Sequence, residues 1–140
     1  MPDNPHLPAL IEAYRHWAES KGGNVEEILD MFADEIEMIS VLTDDVPDEI
    51  SGRHVNRDGA RAYFTGLLRD WEMLSYSCDK FVADGNDIVM IGRCAWRNRA
   101  TGLEVDSPKI DVHSFNPHGK VFRFQEVFDT LGFARALGMV

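Results

Sequence analysis

Apolar positions along this chain follow two rhythms, and the change between them outlines the fold. In the first half Leu7, Leu10, Ile11, Tyr14 and Ala18 recur at helical spacing, with Arg15 and Glu19 off the stripe. Pro8 suits a first helical turn and Gly22-Gly23 a helix end. Asn24 predicts the cap of a short second helix, with Glu27 at the capping-box position and Ile28, Leu29 and Phe32 as its apolar side. Residues 35–42 alternate weakly and predict a strand. The polar, Pro- and Gly-punctuated stretch 43–54 predicts a long loop whose acidic run, Thr43 to Glu49, is solvated, with a pocket lid as the alternative. A third helix is expected from about Arg57 to Trp71, on a stripe of Ala60, Tyr63, Phe64, Leu67, Leu68 and Trp71. Thereafter the period is two. Strands are expected over 75–83, 87–99, 103–115 and 120–128, broken at turn sequences 84–87, 100–102 and 116–119. Asp129-Thr130 can cap a last short helix, 131–137.

Four consecutive long strands in hairpins make a meander, and three helices from the N-terminal half must cover one face of it. The expected class is α+β. A strongly curved antiparallel sheet wrapped by helices forms a cone-shaped roll, one domain over 1–140, with room for a hollow.

Alternation also orients two strands. In 87–99 the odd positions include Arg93, Arg97 and Arg99, which cannot share a core, so Ile88, Met90, Gly92, Cys94, Trp96 and Asn98 face inward. In 121–128 the odd positions carry Arg123 and Gln125, so Phe122, Phe124, Glu126 and Phe128 are the expected inner set. The segment 109–115 is ambiguous. Lys109, Asp111, His113 and Phe115 share one face, Ile110, Val112 and Ser114 the other, and periodicity alone cannot say which points in.

Composition removes several function classes. The 140 residues carry a net charge of −10, which argues against nucleic acid and anionic membrane surfaces. No apolar run approaches the roughly 20 residues of a membrane span. The N-terminal Met-Pro-Asp-Asn-Pro-His-Leu-Pro lacks the basic and apolar regions of a leader. Cys78 and Cys94 lack metal spacing and read as free thiols of a cytoplasmic protein. Asp44, Asp45, Asp48 and Glu49 lack calcium-loop spacing, so no metal is expected; the expected chemistry is likewise cofactor-free.

Three segments carry a resemblance: Phe-Ala-Asp-Glu at 32–35, Phe-Val-Ala-Asp-Gly-Asn-Asp-Ile-Val-Met at 81–90, and His-Gly-Lys-Val-Phe-Arg-Phe-Gln-Glu-Val-Phe-Asp-Thr-Leu at 118–131. Through them nearly the whole chain resembles the SnoaL-like proteins of the nuclear-transport-factor-2-like superfamily. The resemblance implies a cone-shaped roll, a homodimer through the open sheet face, and relatives that include ketosteroid isomerases, polyketide cyclases and limonene epoxide hydrolase. It implies that Tyr14 and Asp111 match the isomerases' oxygen-binding pair, so that Asp111 and His113 face inward. The isomerases' base position matches Ser40, which cannot take a proton from carbon and so counts against steroid isomerisation. The cyclases' acid–base position matches Glu126. The hydrolase's Arg-x-Asp pair reads Gly92-Arg93-Cys94, without the second carboxylate.

The candidate catalytic set is therefore Glu126, His113, Asp111 and Tyr14, with Trp17, Ser40, Tyr63, Cys94, Trp96, Phe124 and Phe128 as candidate contacts to a small apolar ligand. His113 and Glu126, on strands joined by one turn, are expected within hydrogen-bond reach as an acid–base pair. Tyr14 with a neutral Asp111 would hold an enolate oxygen. Each has a plainer alternative. Tyr14 is a core aromatic on a helix stripe, Asp111 can face out to Lys109 or Arg97, and His113 and Glu126 can satisfy each other without chemistry. A non-catalytic binding or dimerisation module is the competing function. The outer sheet face, carrying Arg93, Arg97, Arg99, Arg123 and Gln125, predicts a polar, wet dimer interface.

Overall fold

The structure, a computed structural model, describes residues 4–140; the first three residues of the N-terminal stretch lie outside it. The elements run α1 (Leu7–Ser20), α2 (Val25–Met31), β1 (Phe32–Ser40), β2 (Arg53–Val55), α3 (Asn56–Asp70), β3 (Trp71–Asp84), β4 (Asp87–Asn98), β5 (Glu104–Phe115), β6 (Val121–Phe128) and α4 (Thr130–Ala136). The six strands form one sheet in the order β2-β1-β6-β5-β4-β3. Every pairing is antiparallel except β1 with β6, whose chain connection crosses the helical layer. The architecture is the expected α+β roll, with helices against one face of a curved sheet.

Curvature has identifiable sources. The β3–β4 pairing shifts register between Met73 and Ser75 and again between Cys78 and Lys80. Such bulges bend and coil a strand. At Gly92, opposite the second shift, a Cβ would stand 2.0 Å from the Ser77 carbonyl oxygen, so only glycine permits that approach.

On β4 the expected inner set is buried, with Ile88 and Met90 fully so. On β6 the alternation breaks once. Ser114 pairs with Arg123 but Phe115 pairs with Val121, leaving Phe122 unpaired at a bulge. Val121 therefore points inward at 1% exposure and Phe122 outward at 39%, correcting the inner set.

Two other expectations change. Asn24 does not cap α2 with its side chain. Its amide instead donates to the Ala13 carbonyl at 3.0 Å and to Glu27 Oε1 at 2.8 Å, bracing α2 against α1. Trp71 opens β3 rather than closing α3, and its indole donates to Asp48 Oδ2 at 3.1 Å. The acidic run 43–49 is otherwise solvated, as expected: Thr43, Asp44, Asp45, Pro47 and Glu49 are exposed. Leu42 and Ile50 are buried, and Glu49 lies against Gly66 of α3, where a Cβ would sit 2.1 Å from Glu49 Cγ. Asp129 does cap α4, accepting from Gly132 N at 2.9 Å.

Among the described residues no helix is long and apolar enough to cross a membrane.

Candidate active site

The helical layer and the inner sheet face enclose a cavity of about 80 Å³. Its walls are largely aromatic. Trp17 of α1 meets Phe64 of α3, Tyr76 of β3 and Trp96 of β4 at centroid distances of 5.7, 6.3 and 6.3 Å. Phe128 packs on Phe133 at 4.5 Å near the other end. One patch of this apolar lining is polar, and β5 and β6 supply most of it.

The ambiguous segment 109–115 puts its ionisable face inward. Lys109, Asp111 and His113 are 8%, 1% and 3% exposed, and Glu126 of β6 is 3% exposed. Register explains their grouping. Lys109 pairs with Phe128, Asp111 with Glu126 and His113 with Phe124. Two carboxyl groups thus stand directly opposite each other, an arrangement that is unfavourable unless something lies between them. Lys109 lies between them. Its ammonium donates to Asp111 Oδ1 and, at 3.0 Å, to Glu126 Oε1. On its other side Lys109 faces Gly92 of β4, so no side chain crowds it there. Burial pulls the Lys109 ammonium down, but Asp111 and Glu126 outweigh it and the net shift is upward.

Two arms extend from this ion triad. In the first, Tyr63 of α3 donates its hydroxyl to Glu126 Oε1 at 2.7 Å. Glu126 Oε2 is buried and has no partner in the protein. In the second, Tyr14 of α1 donates to Asp111 Oδ2 at 2.6 Å and also lies 3.0 Å from His113 Nε2. His113 Nδ1 lies 3.2 Å from the Ile88 carbonyl, which can only accept, so Nδ1 carries a proton. Burial pushes the imidazole pKa down against the pull of Asp111, which favours the neutral ring with Nε2 as an acceptor. Tyr14 then has one proton for two acceptors, and the unit has room for one more. Burial first and the adjacent carboxyl group second raise both Tyr14 and Tyr63 well above the usual phenol range, so both stay protonated donors.

The candidate residues therefore sort clearly. Tyr14, Asp111, His113 and Glu126 converge on the cavity, together with Trp17, Tyr63, Trp96, Phe124 and Phe128. Ser40 and Cys94 do not line it. Ser40 Oγ accepts from Leu42 N at 3.0 Å, and Cys94 is buried within the sheet, its thiol pushed up to about 11 chiefly by burial. The His113–Glu126 pair does not form. The two lie diagonally across the β5–β6 ladder, and each is taken by other partners. Asp111 is bonded by Lys109, by Tyr14 and, at 3.4 Å, by the hydroxyl of Tyr76 of β3.

Lys109, at the centre, was not among the candidates. Its parity with Asp111 and His113 was the available signal, because any face that takes those two inward takes Lys109 too. Tyr63 was legible as a cavity contact but not as the partner of Glu126, since that contact joins residues 63 positions apart.

A family profile for the SnoaL-like domain matches residues 11–124. The chain belongs to that family. The matched segment contains Tyr14, Asp111 and His113 and stops just short of Glu126. Among solved structures, an NTF2-like protein of unknown function from Burkholderia pseudomallei superposes with a TM-score of 0.81 at 19% identity, covering 96% of this chain and 98% of that one. An NTF2-like protein from Burkholderia xenovorans gives a TM-score of 0.77 at 22% identity, covering 94% of each chain. TerC, crystallised with polyporic acid, gives 0.75 at 16% identity, covering 96% of this chain and 99% of TerC. At these identities the likeness establishes the fold. No curated protein matches the sequence.

Proposed function

We propose that this SnoaL-like protein is a cofactor-free proton-transfer catalyst of the isomerase, cyclase, dehydratase or hydrolase type, acting on a small hydrophobic carbonyl or hydroxyl compound. The observation that carries the reading is Glu126, a buried carboxyl group in the lining of an aromatic cavity whose Oε2 has no partner in the protein. Leaving such an atom unpaired costs stability, and a site of chemistry is one place where that cost is kept. In the enolisation common to this chemistry, a C–H bond next to a carbonyl breaks. The proton goes to Glu126 Oε2 and the electron pair to the carbonyl oxygen. Tyr63 and Lys109 hold Glu126 by Oε1, which leaves Oε2 as its reactive oxygen. Tyr14 turns its hydroxyl to the new oxyanion, with Asp111 and His113 as the group through which its proton is replaced.

The test is deuterium exchange next to the carbonyl in a panel of small cyclic ketones in D₂O, followed by NMR. The wild-type protein should accelerate exchange for at least one member. Glu126→Gln should lower that rate by about 10²–10⁴-fold, and an unchanged rate removes Glu126 from the role.

A binding module is the second reading. It is favoured by the Lys109 bridge, which ties up both carboxyl groups as a structural ion triad would. Ligand affinity without exchange activity on any compound bound would decide for it.

We also place the protein in the cytoplasm as a homodimer through the open sheet face. Cys78 and Cys94 are free, in keeping with a reducing compartment. The outer face is less polar than its arginines suggest. Val89 pairs with Val112, Ile91 with Ile110 and Ile110 with Val127, forming an apolar belt beside the Arg93–Asp106 and Arg97–Glu104 ion pairs. A belt rimmed by ion pairs suits a subunit contact.

A further inference from the structure

The cavity taken above as the functional site is too small, as it stands, for a cyclic ligand. It holds about 80 Å³, whereas an apolar cavity that takes one benzene ring is about 150 Å³. A ring therefore enters only if part of the wall gives way. Resting on that reading of the cavity, we infer that the loop 43–51 is the part that moves. It is a hinged lid whose Ile50 plugs the cavity, and a ring-sized apolar ligand displaces it.

Every other residue in the lining belongs to a helix or a strand, whose backbone hydrogen bonds hold it in place. Ile50 is the exception. It is 2% exposed, although Thr43, Asp44, Asp45, Pro47 and Glu49 of the same loop are exposed. The loop closes on itself. At its neck Ser40 N donates to the Gly52 carbonyl at 3.0 Å and Gly52 N to the Leu42 carbonyl at 2.7 Å. Within it Val46 N donates to the Thr43 carbonyl at 3.0 Å and Ser51 N to the Asp48 carbonyl at 3.0 Å. Among the described residues, 43–51 make one hydrogen bond outside the loop, from the Trp71 indole to Asp48 Oδ2 at 3.1 Å. A loop tied at its ends and sparsely tied elsewhere belongs to the low-stability part of a structure, from which binding lids are drawn.

Three consecutive residues seat the lid. Asp48 accepts from the Trp71 indole through Oδ2 and from the Ile50 backbone N–H through Oδ1 at 3.0 Å. Glu49 lays its stem on Gly66 of α3, where a side chain would leave it no room. Ile50 then completes the cavity wall. Asp48 is the latch, because one carboxyl group fixes both the outside contact of the loop and the backbone of the plug. Opening gives up one charge-assisted hydrogen bond and exposes one isoleucine side chain. Burial of an apolar ring in the place of Ile50 offsets that cost.

Benzene is the probe, followed by the indole N–H signals of Trp17 and Trp96 in protein-observed NMR titrations of the whole chain. The wild type should bind it, and the Ile50 amide should exchange with solvent faster in the bound state. Asp48→Ala removes the latch and should tighten benzene binding about tenfold. Gly66→Ala, a favourable change for a helix by itself, should act in the same direction by lifting Glu49. In Ile50→Ala the ring has room without opening, so Asp48→Ala added to it should gain little. Three results would overturn the lid: no benzene binding by the wild type, binding with the Ile50 amide as protected as before, or an equal gain from Asp48→Ala in both backgrounds. Each readout is binding without turnover, so the lid can hold in a protein inactive in the exchange assay and fail in an active one.

Discussion

Strands β4 and β5 lie side by side in register, yet they obey opposite rules. On β4 the aliphatic and aromatic residues Ile88, Met90 and Trp96 face in, while Arg93 and Arg97 face out. On β5 the ionisable residues Lys109, Asp111 and His113 face in, while Ile110 and Val112 sit on the outer face. The two strands share one sheet, so both inner sets look into one cavity. β4 supplies ordinary core and β5 supplies the site. The same inversion puts aliphatic residues on the uncovered face, where they pair with Ile91 and Val127 into the apolar belt. One strand reversed against its neighbour thus creates a polar patch inside and an apolar patch outside.

The largest expected effect breaks the inner side of that comparison. Lys109→Met leaves Asp111 and Glu126 facing each other without a cation. It should cost about 3–5 kcal/mol, read as a fall in the urea midpoint. Replacing all three, with Lys109→Met, Asp111→Leu and Glu126→Leu together, should recover most of that loss or exceed wild type. If the triple variant is no better than the single one, the ion triad is a net stabiliser and the patch is structural. Arg93→Met on the outer face of β4 is the control, with little change in midpoint because its partner Asp106 is also exposed.

The outer side is tested by Ile91→Glu with Ile110→Glu. Both residues lie on the uncovered face, so the monomer should still fold, with an unchanged far-ultraviolet spectrum. Sedimentation should show dissociation of the wild-type dimer. A wild-type monomer at micromolar concentration would remove the dimer altogether.

The smallest effect is a pH dependence. The folded His113 imidazole titrates below its ordinary value of about 6.5. Between the folded and unfolded values the unfolded chain binds the extra proton, so stability rises with pH there. The contribution is complete above about pH 6.5 and is lost as the pH falls through the window. His113→Gln should flatten that part of the stability–pH curve. An unchanged slope would show that other groups carry it.

Much of the fold was legible because it rests on local physics. The change of hydrophobic period at Trp71, the turn sequences and the β4 alternation each report burial directly. The errors came where one residue shifts parity or one contact spans the chain. The bulge at Phe122 reversed the inner set at the start of β6, and no composition signal marks it. The indole of Trp71 pins Asp48, one residue of an otherwise exposed acidic loop, across 23 positions of sequence. The site was half legible. Tyr14, Asp111, His113 and Glu126 were named, but their partners were not, because partnership depends on register and on which helix crosses above.

The sequence by itself determined the class of this protein: helices and meander, an aromatic-rich interior, and ionisable residues at alternate positions of one strand. Hydrophobic periodicity and turn chemistry suffice for that, since both act over a few residues. Only the tertiary structure decided that β5 shows its charged face to the cavity. It also decided that Lys109 separates Asp111 from Glu126, that Tyr14 rather than Glu126 meets His113, and that Glu126 Oε2 is left unpaired. Each of these depends on distances between residues far apart in the chain, and those distances exist only once the sheet has curled and the helices have closed over it.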